Sequence, residues 1–148
     1  ATDFDSIFFA CRAAIPHLKA TRGNIVNIAS ISGMGADHGM GAYNGANGGV
    51  INFTRSLAID CAEDGIRANS VSPGLVHTPT MAGILAFSGP RWDERIPLGR
   101  AGQGPEIAAG VAYLASDDAT YVTGHNLGID GGLTAQTGQP SLLGLLGR

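Results

Sequence analysis

Ser30 ends a short apolar run, Asn24-Ile25-Val26-Asn27-Ile28-Ala29, and Tyr43 opens the next helical stretch. A β-branched run of this length after a glycine reads as a buried parallel strand. Ser30 therefore falls at the carboxyl end of a strand, and Tyr43 near the start of the following helix. Ligands of open α/β sheets bind at those carboxyl ends. Both hydroxyls can face one crevice there, each able to donate and accept a hydrogen bond. As a bare pair they carry little, because hydroxyls at loop edges are commonly just solvated. Asn47 lies four residues beyond Tyr43 and shares its helix face.

The loop between the two hydroxyls holds Gly33-Met34-Gly35-Ala36-Asp37-His38-Gly39. A dinucleotide fingerprint reads G-x-G-x-x-G between a strand and a helix. His38 stands where the third glycine belongs, so the segment reads as a loop beside an active site rather than a phosphate cradle. His38 is a candidate substrate contact by its place in that loop. His17, His38, His77 and His125 show no metal-ligand spacing among themselves or with Cys11 and Cys61, and no metal site is expected.

The elements that must position these groups follow from periodicity. Phe4, Ile7, Phe8, Cys11 and Ile15 give one apolar helical face over 3–16, with Pro16 near its end. A second helix is expected over 43–62, with Ala46, Val50, Phe53, Leu57 and Cys61 on one face. Its Gly45, Gly48 and Gly49 each cost about 1 kcal/mol relative to Ala, which points to close approach of another backbone, a second subunit's helix being one candidate. Residues 66–72 form a strand stopped by Pro73-Gly74, and 126–129 another that turns out through Asp130-Gly131-Gly132. The polar, Gly- and Pro-rich stretch 78–104 reads as a lid with a short helix, and 105–115 as a full helix with Pro105 in its first turn. The alternation α, β, α, β, lid, α, β predicts an α/β fold with a parallel sheet and flanking helices.

Composition agrees with one globular domain. The chain has 148 residues, 44% hydrophobic and 14% charged, with a net charge of −3 and 23 glycines. That balance excludes intrinsic disorder and a basic nucleic-acid face. No apolar run is long enough for a membrane span, the leucines near the C-terminus being too few. Those leucines, from Leu142 on, read as a loose tail or as a segment docked on a neighbouring subunit. Two cysteines cannot make a secreted disulfide framework, and no signal peptide opens the chain, so the expected compartment is cytoplasmic.

Asn27-Ile28-Ala29-Ser30-Ile31-Ser32-Gly33 followed by Ala42-Tyr43-Asn44 resembles the short-chain dehydrogenase/reductase family. The likeness continues through Gly65-Ile66-Arg67-Ala68-Asn69, Pro73-Gly74, Leu98-Gly99-Arg100 and Asp130-Gly131-Gly132, in family order. Asp3, the Asp37 loop and the Gly138-Gln139-Pro140 ending are most similar to the 2,3-butanediol dehydrogenase (acetoin reductase) subgroup. The resemblance implies an NAD- or NADP-dependent oxidoreductase interconverting a secondary alcohol or vicinal diol and a ketone. It implies that Ser30 hydrogen-bonds the substrate oxygen and that Tyr43 is the general acid or base. It places Ser32 on the substrate side, and Pro73, Gly74, Val76 and Thr78 along the nicotinamide. A homodimer or homotetramer is expected, the Tyr43 helix supplying the dimer contact.

Three departures from the family pattern matter. Asn47 stands where the family has a lysine that bonds the cofactor ribose and favours ionised tyrosine. A cation about 4.5 Å from the phenolate, at an effective dielectric of 20, is worth roughly 3–4 kcal/mol. Asn47 supplies a donor without that charge, so oxidation, which needs the phenolate, suffers more than reduction. Asp3 falls where many members carry a catalytic asparagine; it can accept a hydrogen bond from water there, or serve as a helix N-cap. The family's phosphate-binding glycine turn and N-terminal strands have no counterpart, so the 148 residues read as the C-terminal, catalytic and oligomerisation part of one Rossmann-like domain. The alternative is a catalytically impaired member that acts at most as an assembly partner.

Overall fold

The computed structural model describes residues 2–139 together with Leu145 and Gly147. Pro140, Leu142, Leu143 and Leu146, and with them the reading of the leucine tail, lie outside the described residues. Helix α1 spans Thr2–Thr21, strand β1 Asn24–Ile28, helix α2 Gly41–Asp60 and strand β2 Arg67–Pro73. Strand β3 (Val76–His77), helix α3 (Ala82–Asp93), strand β4 (Gly102–Gln103), helix α4 (Gly104–Ala115) and strand β5 (Asn126–Ile129) follow.

The main sheet is three-stranded and wholly parallel, in the order β1-β2-β5. Asn24 pairs with Arg67 and Ser70 with Asn126. Alternation along the strands sends residues to two helical layers. Ala68 of β2 meets Cys11 of α1 and Leu57 and Ala58 of α2. On the other face, Gly110 of α4 lies directly over Leu127 and Ile129 of β5. The sheet is thus sandwiched, and β2 runs through its centre with Ala68 to Ser72 all buried.

That central strand is polar for a buried one, and each polar group is answered. Asn69 Nδ2 donates to the Val122 carbonyl at 2.8 Å, and His125 N–H donates to Asn69 Oδ1 at 3.0 Å. The Ser70 and Ser72 hydroxyls both donate to Asn126 Oδ1, each at 2.8 Å. Such pairing is what makes burial of polar side chains tolerable. Arg67 extends the scheme outward, its guanidinium donating to the carbonyls of Leu114 and Ser116 at the end of α4. A cation suits that helix terminus.

Three expectations change. Helix α1 runs on to Thr21 with Pro16 inside it. Pro16 lies on the exposed side of the helix, as does Arg12, whose carbonyl loses its helical donor to the proline. Helix α2 begins at Gly41 and ends at Asp60, two residues earlier at each end than expected. A second, two-stranded parallel sheet pairs β3, just before the stretch read as a lid, with β4 near that stretch's end. Of the three helical glycines, Gly48 meets the close approach of another backbone within this chain. A Cβ on Gly48 would fall 3.4 Å from the Gly33 carbonyl oxygen, one on Gly49 would meet the Phe4 ring at 3.2 Å, and Gly45 is open.

Candidate active site

Strand β1 ends at Ile28, and Ala29 N–H still donates to the Val71 carbonyl at 2.8 Å, holding the next residues beside β2. The backbone then turns through a 3-10 helix over Ile31–Gly33 with Ser30 as its N-cap. Ser30 Oγ accepts from Ser32 N–H at 3.2 Å, and Ser30 is 8% exposed. Gly33 lets this turn lie flat on α2, since a Cβ there would fall 2.5 Å from the Asn47 carbonyl carbon.

The hydroxyls form a directed series. Ser30 Oγ donates to Ser32 Oγ at 3.2 Å, and Ser32 Oγ donates to the Asp37 carboxylate. Asn44 Nδ2 in turn donates to the Asp37 carbonyl at 2.9 Å, tying the glycine-rich loop to the first turn of α2. Asn44 Oδ1 is buried with no partner among the described residues.

Ser30, Ser32, His38 and Tyr43 line one cleft of about 1230 Å³. Pro73, Gly74, Val76 and Thr78 line the same cleft. Gly74 N–H donates to the Ile129 carbonyl at 2.9 Å, and a Cβ on Gly74 would meet Asp130 Cα at 2.8 Å, so this part of the lining is seated against the exit of β5. Burial pushes the Asp130 carboxyl up, and donation from Thr134 and the Gly132 N–H outweighs it, leaving Asp130 below its ordinary value. Thr78 Oγ1 accepts from Met81 N–H at 3.2 Å and so caps the entry to α3.

Two of the expected residues lie elsewhere. Asn47 is buried outside the cleft lining, and its Nδ2 donates to the Tyr43 carbonyl at 2.9 Å. Asp3 sits in the first turn of α1, where its carbonyl accepts from Ser6 Oγ, and it does not reach the cleft. Because α1 already includes Thr2, Asp3 is a first-turn acid rather than an N-cap. The sequence reading missed the apolar side of the cleft, formed by Met40, Met81, Trp92, Ile107, Val111 and Leu133. Ile107 and Val111 at i, i+4 on α4 are the only sequence pattern that points to it. Among the described residues no cluster of three or more His, Cys, Asp or Glu could hold a metal.

A family model described as enoyl-(acyl carrier protein) reductase matches residues 1–134. The chain belongs to the short-chain dehydrogenase/reductase family. Meso-2,3-butanediol dehydrogenase of Serratia marcescens is 47% identical over 141 residues, covering 95% of this chain and 56% of that protein. Trans-4-hydroxycyclohexanecarboxylate dehydrogenase of Sinomonas cyclohexanicum is 42% identical, covering 90% of this chain and 49% of that one. Among solved structures, a gluconate 5-dehydrogenase from Burkholderia cenocepacia J2315, in complex with NADP and tartrate, superposes with a TM-score of 0.85. It is 32% identical and covers 91% of this chain and 54% of the other. The chain spans about half the length of the curated dehydrogenases it matches. Among its described residues no helix is long and apolar enough to cross a membrane.

Proposed function

We propose that this chain carries the proton-handling side of an NAD(P)-dependent oxidoreductase acting on a secondary alcohol or vicinal diol and its ketone. The observation that carries the reading is the shared cleft, lined by Ser30 and Tyr43 together with Pro73, Gly74, Val76 and Thr78. A flat apolar ring such as nicotinamide suits that lining, and Pro73, Gly74, Val76 and Thr78 would hold it. When bound, the cofactor supplies or accepts the hydride. No strand-glycine turn-helix segment among the described residues matches the phosphate half of a dinucleotide.

Carbonyl reduction adds a hydride to carbon and a proton to oxygen. Tyr43 Oη gives that proton, and Ser30 Oγ donates a hydrogen bond to the same oxygen. To do so Ser30 must turn its O–H away from Ser32 Oγ, a bond of 3.2 Å that is easily exchanged. Alcohol oxidation reverses the roles, and Tyr43 takes the proton. Ser32 and His38, which line the same cleft, would contact the substrate. The name of the Serratia relative, a butanediol dehydrogenase, supports a small diol or hydroxyketone as substrate. Residues 1–148 act as the catalytic and oligomerisation part of one Rossmann-like domain, in a cytoplasmic homodimer or homotetramer. Exposed Phe9 on α1 and Ile59 on α2 support helix packing between subunits.

The test is oxidation of NADH or NADPH by the purified protein with acetoin or diacetyl. Turnover that falls at least a hundredfold in Tyr43→Phe supports the proposal. A wild-type rate equal to that of the variant overturns it for this chain.

A second reading, an impaired member acting as an assembly partner, is favoured by Asn47, whose amide is turned onto its own helix. Micromolar binding of NAD(H) or NADP(H) to this chain alone refutes it.

A further inference from the structure

A second cleft lies between α2 and β5, on the sheet face opposite α4, with a volume of about 430 Å³. Gly33, Met34, Gly48 and Ile51 line its inner side, and Arg55, His125 and Asn126 its outer side.

Its side chains are donors. Arg55 makes no hydrogen bond or ion pair with any described residue, and its neighbours one turn away on α2 are Ile51, Asn52, Ala58 and Ile59, none a carboxylate. The His125 backbone is engaged, its N–H with Asn69 Oδ1 and its carbonyl with Ser70 N–H, while its imidazole has no partner among the described residues. Asn126 Oδ1 already accepts from both Ser70 and Ser72, which fixes the amide and leaves Nδ2 as the end with donors to spare. No acidic side chain lines the cleft. In a chain of net charge −3, this gathers three donors, one of them permanently cationic, around a concave site without a counter-charge.

We propose that this cleft binds a compact oxyanion, a carboxylate or a phosphate, through Arg55, His125 and Asn126. A forked guanidinium matches either group with two parallel hydrogen bonds. The volume limits the ligand to a small molecule. The ligand would rest on Gly33 and Gly48, behind the turn that orients Ser30 and Ser32.

Isothermal titration of the 148-residue chain with inorganic phosphate and with succinate tests this and separates the two sources. Saturable one-to-one binding of either probe, weakened tenfold or more in Arg55→Gln, is the expected result. Arg55 is exposed and unpaired, so this variant keeps the fold. Arg91→Gln on α3 removes the same charge elsewhere and should leave binding unchanged. No saturable binding of either probe, or equal weakening in both variants, overturns the proposal.

Discussion

Asn47 Nδ2 donates to the Tyr43 carbonyl oxygen at 2.9 Å. The side chain at the family's lysine position is thus spent on its own helix and brings no charge to the phenol. Asn47→Lys is expected to raise alcohol oxidation about tenfold or more at neutral pH and to change ketone reduction less. The measurement is a pH-rate profile in both directions, in a polypeptide that supplies the phosphate-binding segment. Equal change in both directions would contradict the charge argument.

Two glycines near the site should respond oppositely to alanine. A Cβ on Gly33 would meet backbone atoms of Asn47 and Gly48 at 2.5–2.8 Å, and backbone cannot swing aside. Gly33→Ala is expected to destabilise by about 2–3 kcal/mol. Gly45 sits in the same helix with open space around it, and Gly45→Ala should stabilise by about 0.5–1 kcal/mol. Urea midpoints of the two variants check both signs.

Acid should loosen the base of the lid. Arg100 holds Glu106 through two hydrogen bonds of 2.7 and 2.8 Å, and Gln103 N–H adds a third at 2.8 Å. The guanidinium first, then that N–H, bring the Glu106 carboxyl down from about 4.5 to about 2. A depressed folded value means the stabilisation is complete above about 4.5 and is lost as pH falls through about 2. The difference in urea midpoint between wild type and Glu106→Gln should shrink over that window. Both side chains are solvent-facing, so 1 M salt should reduce it as well.

Strand β1 is paired by β2 on one side only among the described residues, and Ile28 is 48% exposed. An apolar strand edge left open is a template for another chain. Thermal unfolding of this chain should shift with protein concentration, and Ile28→Lys should reduce the associated species seen by sedimentation. A cooperative transition of a monomer, independent of concentration, would contradict this.

The three strands of the main sheet were readable because each is a short β-branched or small-residue run bounded by Gly or Pro. Strands β3 and β4 were not, since two residues apiece leave no period, and only the pairing of Val76 and His77 with Gly102 and Gln103 defines them. The place of Ser30 and Tyr43 followed from strand and helix order. The turn of Asn47 away from the cleft did not, because i, i+4 spacing fixes a helix face and not a rotamer. The series from Ser30 through Ser32 to Asp37 depends on how the loop folds back, which no local pattern encodes.

The register of the sheet has a kinetic side. No strand of β1-β2-β5 pairs with its neighbour through a hairpin; Asn24 waits for Arg67, and Ser70 for Asn126, 56 residues on. Loop closure must therefore precede almost every sheet contact, and the ordering entropy is lost before those contacts form. Helices α1, α2 and α4 can appear early from local bonds; the apolar faces of α1 and α2 are covered once β1 and β2 meet, while the face of α4 over Leu127 and Ile129 waits for β5. The Leu127 and Ile129 side of the core is therefore the part of the molecule that depends on the chain's longest-delayed strand.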